Sequence, residues 1–122
     1  MYPIPPDFDL SPLVGNTVTY LGVDQHCTYL HLDQFNVRIE SGYSLLLPDG
    51  RTEVWGRAET VPIPLLATVL LGDALTGWSV TDDPSIVLEF SSGATLELFA
   101  DDPRYECVMI QSVGSGDCLY LI

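Results

Sequence analysis

The chain has 122 residues, 47% of them hydrophobic, enough for one domain with its own core and too many for wholesale disorder. Acidic residues outnumber basic ones 17 to 4, for a formal net charge of −13. Arg38, Arg51, Arg57 and Arg104 cannot build the basic stripe that displaces counterions from nucleic acid, nor hold an anionic membrane surface. The opening MYPIPPDFDLSPLVG lacks the basic start of a secretory signal, and its prolines interrupt every apolar run. A cytoplasmic location is therefore expected. Cys27, Cys107 and Cys118 are odd in number and irregularly spaced, so no disulfide framework is expected. Each lies in an apolar stretch and reads as a buried free thiol.

In chain order, residues 10–14 read as a turn, followed by strands over Thr17–Val23, Thr28–Leu32, Asn36–Ser41 and Tyr43–Leu47. Leu30, Leu32, Val37 and Ile39 alternate toward one side, with His31 and Arg38 toward the other. Pro48-Asp49-Gly50 is a turn. The segment Pro62–Gly72 has prolines at its front and glycine at its end, which predicts a short helix covering the joint between two halves. Strands follow at Ala74–Thr81, Ile86–Phe90, Thr95–Phe99, Cys107–Ser112 and Asp117–Ile122. Leu88, Phe90, Leu96 and Leu98 repeat the inward alternation, with Glu89 and Glu97 opposite. Ser91-Ser92-Gly93 and Gly114–Asp117 supply the turns.

The two halves repeat each other. Residues 13–23, LVGNTVTYLGV, align with 70–80, LLGDALTGWSV, with Leu13/Leu70, Gly15/Gly72, Thr19/Thr76 and Val23/Val80 identical at an offset of 57. Tyr29–Leu32 answers Val87–Phe90, and Val37–Ile39 answers Leu96–Leu98. The fold class expected is mainly β, a β-rich α+β protein. Residues 1–122 form a single domain of two similar antiparallel β halves related by internal duplication. The pseudo-repeats cover about 13–56 and 70–122, with one short helix between them at about 62–72.

The run from Leu88 to Leu98, LEFSSGATLEL, followed by Tyr105-Glu106, resembles a bacterial domain family of unknown function. That family carries a hydrophobic-x-Phe-x-x-Gly-x-x-Leu hairpin and then a Tyr-Glu segment. Leu70-Leu71-Gly72 and the first-half hairpin fit as well, so the resemblance spans most of the chain. Cys107-Val108 stands where family members often have Ala-Trp. The resemblance implies a fold and a bacterial origin, and no activity. Small acidic proteins of this appearance are often suspected to be immunity proteins of secreted toxins.

Three chemistries were weighed against the residues. His26, Cys27 and His31 lie close together, with Asp24 and Asp33 near, but zinc sets come as paired spacings completed by a second pair. A loop histidine and a strand histidine account for them, and no metal or cofactor is expected. His26 and Cys27 are adjacent, and adjacent strand side chains point to opposite faces, which disfavours a nucleophile–base couple. Asp82-Asp83-Pro84 and Asp101-Asp102-Pro103 read as turns, because Asp accepts local backbone bonds and Pro fixes φ. No catalytic residue is assigned, and the protein is not expected to be an enzyme.

What remains is binding. Tyr105 sits beside Asp101, Asp102 and Glu106, and Trp55 stands among Glu53 and Glu59. An aromatic ringed by carboxylates is the composition of an anchor for a basic partner. The expected contact residues are Asp82, Asp83, Asp101, Asp102, Tyr105 and Glu106, with Glu53, Trp55 and Glu59 as a second patch. The expected function is an acidic protein inhibitor, an immunity protein occluding the basic cleft of a nuclease or nucleic-acid deaminase toxin. Its partner would be a basic protein, with no nucleic acid and no membrane. The alternatives are a small cytoplasmic ligand-binding or weak enzymatic domain, and a DNA mimic.

Overall fold

The computed structural model describes residues 4–24, 26–55, 69–100 and 108–122. Among the described residues, a 3₁₀ turn at Ser11–Leu13 precedes ten strands. They are β1 (Val18–Val23), β2 (Thr28–Leu32), β3 (Phe35–Ile39), β4 (Tyr43–Leu46), β5 (Thr52–Trp55), β6 (Leu75–Val80), β7 (Ser85–Phe90), β8 (Thr95–Phe99), β9 (Val108–Ser112) and β10 (Cys118–Leu121). They form two antiparallel five-stranded sheets, β1-β2-β3-β9-β10 and β6-β7-β8-β4-β5.

Each half therefore places its first three strands in one sheet and sends its closing hairpin to the other. β4-β5 pairs beside β8, and β9-β10 pairs beside β3. The alternation read from sequence fills the space between the sheets. Leu30, Leu32, Val37, Ile39, Val108 and Ile110 come from the first sheet. Tyr43, Leu45, Ile86, Leu88, Phe90, Leu96 and Leu98 come from the second, and all belong to one buried cluster. Near 25 cal/mol for each Å² of apolar surface removed from water, this shared cluster is what holds the halves together.

The repeat is visible in the hydrogen bonds. The Gly15 N–H donates to the Leu75 carbonyl at 2.8 Å, and the Gly72 N–H to the Val18 carbonyl at 2.9 Å. The Val18 N–H donates to Asp73 at 2.8 Å, and the Leu75 N–H to Asn16 at 2.9 Å. Thr17 and Ala74, equivalent in the alignment, bridge each other. Irregularities in pairing fall at equivalent places, between Val18 and Tyr20 in β1 and between Leu75 and Gly77 in β6. The joint between the halves is thus reciprocal, built from the same turn used twice.

Gly15 and Gly72 turn the chain there with φ of 91° and 87°. A Cβ at either would meet nothing within 4 Å, so only the left-handed backbone opposes a side chain. Gly15→Ala and Gly72→Ala should each destabilise the protein by about 1–2 kcal/mol. Denaturant melts should show losses of similar size, and a neutral result at either would mean that joint relaxes.

Several expectations need correction. Of the helix expected over 62–72, residues 62–68 lie outside the described residues. Residues 69–70 are a 3₁₀ turn and 71–72 a plain turn, matching the Ser11–Leu13 turn rather than an α-helix. β5 was not among the expected strands. Cys27 is buried, but Cys118 is exposed, because it stands on the outward row of the edge strand β10. Cys107 lies outside the described residues.

Candidate functional site

β5 is the edge of the second sheet, and it places the Glu53–Trp55 patch differently from expectation. Trp55 is only 7% exposed and stacks on Tyr43, with ring centroids 5.8 Å apart at 25°. It is a core residue, so it offers no exposed anchor. Glu53 lies on the same inward row, opposite Leu45, and accepts a hydrogen bond from the Tyr43 hydroxyl at 2.8 Å. An inward-facing charge on an edge strand also discourages a further strand from adding there. Glu59 lies outside the described residues.

Burial and the bond to Glu53 push the Tyr43 hydroxyl well above the ordinary tyrosine range. The folded state then keeps a proton that the unfolded chain gives up, so stability holds below about pH 10 and falls as pH rises above it. Tyr43→Phe should make that alkaline loss shallower, while costing about 1–2 kcal/mol near neutrality for the lost bond to a charged group. Melts across pH 8–11 (about that range) read both effects, and an unchanged alkaline slope would show that Tyr43 is not the group responsible.

The other expected patch is at one end of the second sheet. The turn after β6 is closed by the Thr81 N–H donating to the Ser85 carbonyl at 2.9 Å, and the Thr81 hydroxyl donates to the Asp83 carboxylate. Asp82 and Asp83 are both exposed. Among the described residues Asp82 makes no hydrogen bond or ion pair. The Ala100 N–H donates to the Pro84 carbonyl at 3.2 Å, so the chain leaves β8 beside this turn. Asp101, Asp102, Tyr105 and Glu106 lie outside the described residues.

The outer faces of the two sheets carry a contrast that lies outside the expected contact residues. Across the second sheet run two outward rows, Val54–Ser44–Glu97–Val87–Ser79 and Thr52–Leu46–Thr95–Glu89–Gly77. The equivalent rows of the first sheet are Leu121–Met109–Arg38–Tyr29–Gly22 and Cys118–Gln111–Asn36–His31–Tyr20. Arg38 and Glu97 occupy equivalent positions, as do His31 and Glu89. Among the described residues, the two rows of the second sheet carry two carboxylates and exposed Leu46 and Val54, with no cation. The two rows of the first sheet carry a guanidinium, an imidazole and two tyrosines. The offset between repeats, applied to the outward residues, was the signal that could have found this.

The arginines do little to offset the acid. Arg38 lies 3.4 Å from Glu40 of its own strand's end, and Arg51 lies 2.7 Å from Asp49 of its own turn. Both described arginines are thus engaged by carboxylates two residues away. The Asp24 carboxylate accepts the Tyr29 hydroxyl at 2.6 Å and the N–H groups of His26 and Cys27 at 2.8 and 2.7 Å. These bonds hold it below the usual carboxylate range, the Tyr29 bond contributing most.

On the first sheet, Tyr20 lies against His31, with centroids 4.7 Å apart. Cys27 is buried while His26 is exposed, and burial pushes the thiol above its ordinary range, which keeps it protonated and unreactive. Among the described residues no three His, Cys, Asp or Glu side chains gather as a metal set. Nor is any helix there long and apolar enough to cross a membrane. Compared with family models, with curated proteins and with solved structures, the chain matches none.

Proposed function

We propose that the protein is an acidic inhibitor, an immunity protein that binds a bacterial toxin enzyme of the nuclease or nucleic-acid deaminase type. It would act by occupying the enzyme's basic cleft. The observation that carries this reading is the distribution of charge. The chain bears −13 overall, both described arginines are engaged by neighbouring carboxylates, and Glu89 and Glu97 replace His31 and Arg38 on the second sheet's outer face. The Asp82–Asp83 turn adds two exposed carboxylates at the end of that sheet.

A basic cleft built for phosphates attracts such a surface at long range, which raises the encounter rate. Leu46 and Val54, exposed on the same face, offer apolar contact once the surfaces meet. Inhibition by occlusion needs no group that performs chemistry. The reading is tested by capturing the partner from the native bacterium and titrating its catalytic activity with this protein. Activity should fall to zero near equal amounts, and excess nucleic acid should compete with the complex. An acidic partner, or one that still turns over substrate when saturated, would overturn the proposal.

A further inference from the structure

The first residues described form a strap. Phe8 is inserted between Trp78 of β6, at 5.7 Å and 82°, and Tyr120 of β10, at 4.5 Å and 56°. The Tyr120 hydroxyl locks it in place, accepting from the Asp9 N–H at 3.0 Å and donating to the Asp9 carbonyl at 3.2 Å. The strap therefore joins an edge strand of one sheet to an edge strand of the other. Against its side lies a groove of about 540 Å³ whose walls include Ile4, Pro5, Phe8, Val80 and Pro84. Val80 is 40% exposed and is followed along the wall by the polar Thr81 and Asp82.

Among the described residues, the one charged side chain lining this groove is Asp82. It is also the carboxylate of the turn left without a partner among the described residues, since Asp83 is engaged by Thr81. A groove with Phe8, Val80 and prolines along it and, at one end, a carboxylate that no described residue engages suits one kind of side chain, a flexible alkyl stem tipped by a cation. A neutral polar ligand would gain less from the carboxylate, and a purely apolar one would leave it desolvated and unpaired.

We infer that this groove is the socket for an arginine or lysine side chain presented by a protein partner, the stem lying on Phe8, Val80 and the prolines and the head paired with Asp82. The partner's identity rests on the inhibitor reading above, but the groove's chemistry does not. The two proline rings and the clamped Phe8 pre-form the walls, so little ordering opposes entry. A socket of this kind converts long-range attraction into a fixed register, because a single cation must land in a single place.

The test uses n-butylguanidinium, which is the arginine side chain without its backbone, followed through the amide resonances of the full-length protein. Shifts should concentrate at Phe8, Val80, Thr81 and Asp82 and saturate in the millimolar range expected for so small a ligand. Asp82→Asn should weaken binding by about fivefold or more, as befits loss of a charge-assisted pair. Asp117→Asn, which changes an exposed carboxylate in the turn before β10, should leave it unchanged. The neutral n-butylurea should bind far more weakly than the cation.

Absence of shifts at the groove, equal binding of the urea, or full binding by Asp82→Asn would overturn the inference. So would an equal loss with Asp117→Asn, since that would report only the general field of the protein. No partner protein enters this titration, so a failed partner search cannot produce its negative result. Conversely, a protein that inhibits its enzyme but ignores the probe would overturn the socket and leave the inhibitor reading standing.

Discussion

Truncating Leu45 to alanine should cost the protein about 2–5 kcal/mol and unfold both halves together. Leu45 is fully buried, and β4, which carries it, belongs to the first half in sequence but pairs with β8 of the second. Its side chain therefore faces a core that neither half completes alone. Ile110, in the equivalent strand β9, pairs with Val37 across the same exchange and should behave alike. Because each half lends a hairpin to the other, removing one contact weakens both sheets at once. Denaturant melts should show one transition, with the midpoint lowered and the slope unchanged. Two transitions, with only one moved by Leu45→Ala, would mean that the halves fold as independent units.

The second large effect is expected at the outer face of the second sheet. Glu89→Lys combined with Glu97→Lys should slow association with the captured basic enzyme by about tenfold or more at low salt. Both residues stand on outward rows, Glu97 near the centre on β8 and Glu89 on β7, with no cation in either row to offset them. Their equivalents in the first sheet are Arg38 and His31, so the same backbone positions accept long or nitrogen-bearing side chains. The substitution replaces two carboxylates of the second face by two cations. Arg38→Glu, the reverse exchange, should leave the rate unchanged or raise it slightly. If reversing Glu89 and Glu97 leaves the rate untouched while Arg38→Glu lowers it, the first sheet is the contact face.

Much of this fold was legible because burial imposes period two. Leu30/Leu32, Val37/Ile39, Leu88/Phe90 and Leu96/Leu98 show it plainly, and all are buried as expected. The identical Gly15 and Gly72 marked the reciprocal joint, since only a special turn explains glycine at both places. The exchange of hairpins was not legible, because alternation tells which face a residue takes and not which strand lies beside it. β5 was missed for a related reason. Its Thr52-Glu53-Val54-Trp55 puts the charge on the inward row, where the Tyr43 hydroxyl satisfies it, and Val54 on the outward row. The same charge made Trp55 read as a surface aromatic when it is core. Cys118 was misread from its apolar neighbours, which say nothing of its outward place on an edge strand.

The candidate site was legible only in part. Consecutive Asp82 and Asp83 before a proline announced an exposed acidic turn, and they are exposed. The groove beside them could not be read, because Phe8 and Val80 meet only when the strap crosses between β6 and β10. Asp82 and Asp83 look alike in sequence, and only the Thr81 bond distinguishes the engaged carboxylate from the one that no described residue engages.

The rate of association with the captured enzyme, measured at about 20 mM and about 300 mM salt, tests most directly whether negative charge guides this protein to its partner. The rate should fall by about tenfold or more across that range, while dissociation changes little, because screening acts on the encounter and not on the formed contact. A rate indifferent to salt, with a partner whose own surface is acidic, would contradict inhibition by occlusion of a basic cleft.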